Sequence, residues 1–220
     1  MMNRFPPDRV NNFSDAIYAI AITLLILEVK PPSSDEVQTL GLLGTFNKLI
    51  PSFISLFISF FVTALYWRAH LLNAQIIKHY DSKLLWLNIW LLLFVVMLPF
   101  STALYSKNFA YNSAFIVYAI NVGLIGVFNY WMVAYAIKRE GAADTLTPVA
   151  ARWFVARTLP APIIWLLSAS LAPVLPLTAR FLFISIFIVL FIGGRRNRKA
   201  LAQEAAAAAK TAKIAAEPSN

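Results

Sequence analysis

The sequence predicts an all-α polytopic membrane protein with six transmembrane helices per subunit. Three observations predict it. The chain of 220 residues is 60% hydrophobic and 13% charged, with a mean hydropathy of +0.67, where a soluble domain is roughly 45–50% apolar and 25% charged. Its charge-poor runs are long enough to cross a hydrocarbon core, which takes about 20 mostly apolar residues. Its Lys and Arg residues collect between alternate runs, as the positive-inside bias requires.

The runs define the elements in order. The first span, Asn12 to Val29, opens on Phe13-Ser14-Asp15 and closes on Glu28-Val29-Lys30-Pro31-Pro32. With no small-residue cleavage site after its apolar core, it reads as a retained helix and not a secretory signal. Leu49 to Leu71, Leu84 to Ser106, Tyr111 to Ile137, Ala151 to Ala172 and Leu177 to Gly194 follow. Breaker and polar clusters separate them: Lys30 to Ser34, His79 to Lys83, Glu140 to Asp144 and Pro173 to Pro176. Pro160 and Pro162 lie inside the fifth span and predict a kink there. Residues 1–199 read as one membrane unit, and residues 200–220 as an Ala-rich extension, frayed or disordered for want of an apolar stripe.

Charge sets the orientation. Placing the N-terminus inside leaves 15 of the 19 basic residues on inner segments, and only Lys30, Lys48, Lys107 and Arg180 outside. Both termini are therefore expected in the cytoplasm, with the chain in the cell (inner) membrane. The net charge of +9 is spread between apolar runs and not gathered on a polar domain, which argues against a nucleic-acid partner. Trp67, Trp86, Trp131 and Trp153 fall toward the inner helix ends as interfacial anchors.

Several activities are disfavoured. The absence of Cys removes thiol chemistry and Cys-based metal sites. Spans two to six carry no carboxylate in their apolar cores, whereas pumps and proton-coupled carriers usually thread ionisable groups through the bilayer. His70 and His79 are the only histidines, too few without clustered acids for a metal site, and a satisfied structural role suits them better. No nucleophile, base and orienting group can be named in one pocket. The chain reads as no enzyme, with no cofactor and no bound metal.

One cluster stands out. Arg9-Val10-Asn11-Asn12-Phe13-Ser14-Asp15 runs directly into the apolar stretch Ala16 to Leu27, and polar groups at the mouth of a membrane helix are costly enough to mark assembly or a pathway. Arg9-x-x-x-Phe13-Ser14-Asp15 and the following Ala-Ile-Tyr-Ala-Ile-Ala-Ile-Thr-Leu-Leu resemble the first-helix signature of the transmembrane protein 175 family of lysosomal and bacterial potassium channels. Trp67-Arg68-Ala69-His70 and Leu87-Asn88 leading to Leu98-Pro99-Phe100 resemble the family's following segments. The resemblance covers the first three helices, and the later ones agree in number and hydrophobicity only.

The resemblance implies the bacterial single-repeat form: a homotetramer whose four first helices line a central pore. It also implies an apolar constriction, a nearby threonine layer bearing on cation preference, and no Thr-Val-Gly-Tyr-Gly carbonyl filter, which this chain lacks. At about 100° per residue, Thr23 lies about 60° from Ile20, Leu27 about 20° and Ala16 about 40°, so the four share one face, with Asp15 about 140° away. Phe13 falls nominally on the same stripe. Read without the resemblance, Ile20, Thr23 and Leu27 are ordinary packing positions. Ser14 or Asp15 is expected to cap the first helix, and Asp15 to pair with His70 or Arg9, in a structural network with Phe13, Trp67 and Asn88. Glu28 suits either an outer ring that gathers cations or a salt bridge to Lys30. Ser55, Ser59 and Thr63 read as small polar packing residues.

The functional expectation is a potassium-preferring cation channel in the lipid bilayer, with a constriction at Ile20 and Leu27 and selectivity from Thr23. Permeation of other monovalent cations stays open. The alternatives are a small secondary transporter or proton leak pathway, and a non-conducting scaffold whose Arg195-Arg196-Asn197-Arg198-Lys199 segment binds anionic lipid.

Overall fold

Prolines and capping side chains decide where the helices begin. In the computed structural model, which describes residues 5–139 and 147–216, α1 spans Pro7–Leu24 and ends in a 3-10 turn, Leu25–Glu28. It starts five residues before the expected span, because Pro7 occupies the first turn, where a missing amide proton costs nothing. Helix α2 runs Ser34–Ala74 behind a capping box in which the Ser33 hydroxyl and Glu36 carboxylate satisfy each other's backbone amides, both at 3.2 Å. Gly41, at φ 67° and ψ 168°, kinks α2 between its first seven residues and its long part, a conformation open to glycine and strained for other residues.

The third span divides into α3, Ser82–Val96, and α4, Leu98–Lys107, with the break just before Pro99, whose ring excludes the carbonyl one turn back. Asp81 caps α3 by accepting the Leu84 amide at 2.7 Å. Helix α5, Asn112–Lys138, is uninterrupted. The expected kink falls immediately before Pro160, between α6, Pro148–Ala156, and α7, Pro160–Leu171. There the Thr158 amide and hydroxyl both donate to the Val155 carbonyl, at 3.1 and 2.7 Å.

Five stretches of the described chain are long and apolar enough to cross a membrane: 7–28, 34–74, 82–107, 112–138 and 148–171. The sixth expected span is divided between α8, Pro176–Phe181, and α9, Ile184–Ala216. The Ala-rich run, for which a frayed or disordered extension is expected, is helical to Ala216, as suits the residue of highest helix propensity. The expected turn at Glu140 to Asp144 and residues 217–220 lie outside the described residues.

Helix α5 is the centre of the bundle, packed against α3, α4 and α7. Its Ala119, Val122, Ile125 and Met132 are fully buried against Leu91, Val95 and Leu98. Gly123 and Gly126 let α7 approach: a Cβ at Gly126 would stand 2.8 Å from the Pro162 ring and 2.9 Å from its backbone nitrogen. Helix α1 lies at the edge, against α2, α3 and α4. Phe57, Phe61, Trp86, Phe100 and Phe191 face outward, an apolar surface that suits lipid and not water.

Candidate functional site: a fastened first helix with an open face

Helix α1 has two unlike faces. Val10, Ser14, Tyr18 and Ala21 are buried in the bundle, and polar bonds fix that side. The Ser14 hydroxyl donates to the Val10 carbonyl at 2.8 Å and accepts from the Asn88 amide of α3 at 2.9 Å. The Trp67 indole N–H of α2 donates to the Asp15 carboxylate at 2.9 Å. Below them, Tyr80 donates to Asn11 at 3.1 Å, and the Phe5 and Tyr80 backbones pair at 2.7 and 3.2 Å.

The opposite face is left uncovered by the described residues. Phe13, Ala16, Ile20, Thr23 and Leu27 are all exposed there, Ile20 by 57% and Leu27 by 68%. Leu27 sits in the 3-10 turn, where residues advance about 120°, yet three such steps from Leu24 keep it within about 40° of Ile20. The Thr23 hydroxyl donates to the Ile20 carbonyl at 2.9 Å. Its proton is therefore engaged by the helix, and its oxygen lone pairs remain to accept or to coordinate.

Several expected roles change. Ser14 and Asp15 cap nothing, because the helix begins a full two turns earlier at Pro7. Asp15 takes the Trp67 indole as its partner, while Arg9 is exposed and outside the network. His70 is not a satisfied histidine: buried against Tyr18 at 5.8 Å between ring centroids, it has no hydrogen-bond partner on either nitrogen among the described residues. Glu28 meets Lys107 at 3.7 Å, not Lys30.

Sequence reasoning also left a larger feature unread. Ser52, Ser55, Ser59, Thr63, Tyr66, His70 and Asn73 fall within about 80° of one another around α2, and all but half-buried Ser52 are buried. Over 21 residues they extend about 32 Å, the thickness of a hydrocarbon core. Thr102 donates to Ser59 at 2.8 Å, Ser59 to the Tyr118 hydroxyl at 3.2 Å, and Ser106 to Ser52 at 3.0 Å. Tyr66 donates to the Val122 carbonyl at 2.9 Å, and Asn73 to Asn129 at 2.8 Å while accepting from Arg157 at 2.8 Å. Ser55, Ser59 and Thr63 thus lie on a polar seam of α2, marked in the sequence by the three- and four-residue spacing of its hydroxyls and amides; it is interrupted where the Ser55 hydroxyl and both His70 nitrogens lack a hydrogen-bond partner among the described residues, and Thr63 donates to the Ser59 carbonyl at 2.6 Å.

An all-α bundle with several membrane-length apolar helices, whose first helix is clamped on one side and open on the other, defines a polytopic membrane protein. Comparison with known proteins points to one family. Residues 9–99, α1 through the start of α4, match the family described as endosomal/lysosomal potassium channel TMEM175. The chain is 33% identical over 116 residues to a protein of Chamaesiphon minutus named as a potassium channel, covering 53% of this chain and 57% of that one. A Streptomyces collinus protein with the same designation is 33% identical over 129 residues, 59% of each chain. The match thus spans a little under three fifths of each relative. In three dimensions the chain resembles the lysosomal potassium-selective channel TMEM175 homologue of Chamaesiphon minutus, with TM-score 0.72 and 24% identity over 87% of this chain and 97% of that one. A variant of the potassium channel MtTMEM175 gives TM-score 0.62 at 17% identity, over 87% and 93%. These likenesses establish the fold.

Proposed function

We propose that the chain is one subunit of a homotetrameric, potassium-preferring cation channel whose four α1 helices line a central pore. The observation that carries this reading is the open face of α1. Its apolar residues are left uncovered while polar bonds anchor the other face, so the stripe has a fixed direction and no occupant among the described residues. Four copies around an axis would set Ile20 and Leu27 as rings with no ligand to offer an ion, and dewetting there would raise the barrier. Thr23 would supply four hydroxyl oxygens whose protons already point back to their own helices, the arrangement that favours a cation. The 15-to-4 distribution of basic residues supports six crossings, with α8 and the apolar start of α9 as the sixth, and both termini in the cytoplasm.

The test is electrical recording of purified protein in a planar bilayer. Ile20→Asn should wet the constriction and increase current. Thr23→Val should shift the potassium-to-sodium reversal potential more than the conductance. Unchanged current in Ile20→Asn would remove Ile20 from the pore. The α2 seam favours a second reading, a proton leak through each subunit. If that reading holds, Tyr118→Phe would abolish proton flux while Ile20→Asn left it unaltered.

A further inference from the structure

A cavity of about 650 Å³ opens between α2, the α6–α7 break and α9, away from α1. Most of its wall is apolar, with Phe57, Phe61, Leu65, Trp165, Phe187 and Leu190 along its length. Its charge is confined to Arg68 and Arg157, which both line its wall. Neither guanidinium has a carboxylate within ion-pair distance among the described residues: Arg157 donates to the Asn73 side chain and covers the Phe154 ring at 4.1 Å, and Arg68 is exposed. Two like charges beside an apolar slot, unneutralised from within, are a site that lacks its anion.

We infer that this cavity binds an anionic glycerophospholipid, with its phosphate between Arg68 and Arg157 and one acyl chain along α2 toward Phe57. The dimensions fit a chain and not a helix. Phe57 to Leu72 spans about 22 Å of α2, and a helix of about 10 Å diameter and that length would occupy on the order of 1,700 Å³. The charged end lies at the level where a headgroup belongs. It adjoins the C-terminal end of α2, next to the chain's N-terminus through the Phe5–Tyr80 pairing. Gly193 packs against the Trp153 ring in the cavity wall, which brings exposed Arg195 and Arg196 to the same level. A zwitterionic lipid carries no net charge to offset this group. The site is independent of whether α1 lines a pore.

The experiment measures lipid retention by native mass spectrometry and the thermal midpoint of the detergent-purified full chain. The probes are dioleoylphosphatidylglycerol, dioleoylphosphatidylcholine and inorganic phosphate. Phosphatidylglycerol should be retained at least tenfold over phosphatidylcholine and raise the midpoint, with phosphate alone inert. Arg68→Gln, on an exposed side chain the fold does not use, should abolish the preference. Ala161→Phe, which fills the cavity, should lower retention of both lipids with the protein still folded. Equal retention of the two lipids, or a preference that survives Arg68→Gln, would overturn the assignment. So would stabilisation by phosphate alone, which marks a free-anion site, or a change of oligomer size in Ala161→Phe at unchanged lipid retention, which marks an interface between copies.

Discussion

Asp15 illustrates how one residue separates scaffold from pathway. It lies two turns into α1, and its carboxylate points at Trp67 and not along the Ile20 stripe. Trp67→Phe keeps the ring and removes the donor, leaving a half-buried carboxylate unpartnered at a cost of about 1–3 kcal/mol. The expected outcome is a lower thermal midpoint with unaltered ion preference. A changed preference at normal stability would place Asp15 in the ion path instead. Asp81 makes a separate, pH-dependent prediction. Burial alone would push its pKa up, but the Leu84 amide, the Tyr135 hydroxyl at 2.7 Å and nearby Arg139 prevail and hold it below its ordinary 3.8. A carboxyl with a lowered folded-state pKa stabilises fully above its ordinary value and loses that contribution as pH falls through the folded one. The wild type should therefore lose stability below about pH 4. Asp81→Asn, which still caps α3, should lose less over the same interval, as measured by thermal denaturation at pH 6 and pH 3.

Among the elements, α1 was the most legible: a 3.6-residue period puts Ala16, Ile20, Thr23 and Leu27 on one face, which the structure leaves exposed, while a pore along that face is what the resemblance implies. The Ser14–Asn88 bond realises the interhelical role expected of Asn88. The partner of Asp15 was not legible, since helix rotation and crossing, not sequence spacing, bring Trp67 nearer than Arg9 or His70. The α2 seam was readable in principle, but isolated serines in a membrane helix are individually unremarkable. Only their burial against Thr102, Tyr118 and Asn129 makes them one feature. The break before Pro160 was expected from its proline, whereas the third span was expected unbroken and divides before Pro99, and Pro51 lies within α2; the contact of α5 with α7 depends on two glycines that no local pattern singles out. Gly126→Val would drive a side chain against the Pro162 backbone, which cannot yield. Overpacking of this kind costs about 1–3 kcal/mol. The variant should show a lower thermal midpoint, and a midpoint equal to wild type would mean that α7 does not sit against α5 as described.

For the whole molecule, hydropathy and charge established an all-α membrane protein, and the resemblance of its first three helices agrees with the family match to residues 9–99. The later helices carry that architecture without a matching motif, because their task is to pack α5 and face lipid, which many apolar sequences satisfy. The proposed function stands or falls on whether α1 lines an ion pathway with its Ile20 face. Because the sequence contains no cysteine, one introduced thiol is the only reactive target. Bilayer current is to be recorded from Ile20→Cys and, separately, from Ala21→Cys on the buried face of α1, during exposure to a charged methanethiosulfonate reagent. Rapid, irreversible loss of current is expected in Ile20→Cys, with Ala21→Cys and the wild type unaffected. Block through position 21 with position 20 inert would remove the Ile20 face from the ion pathway.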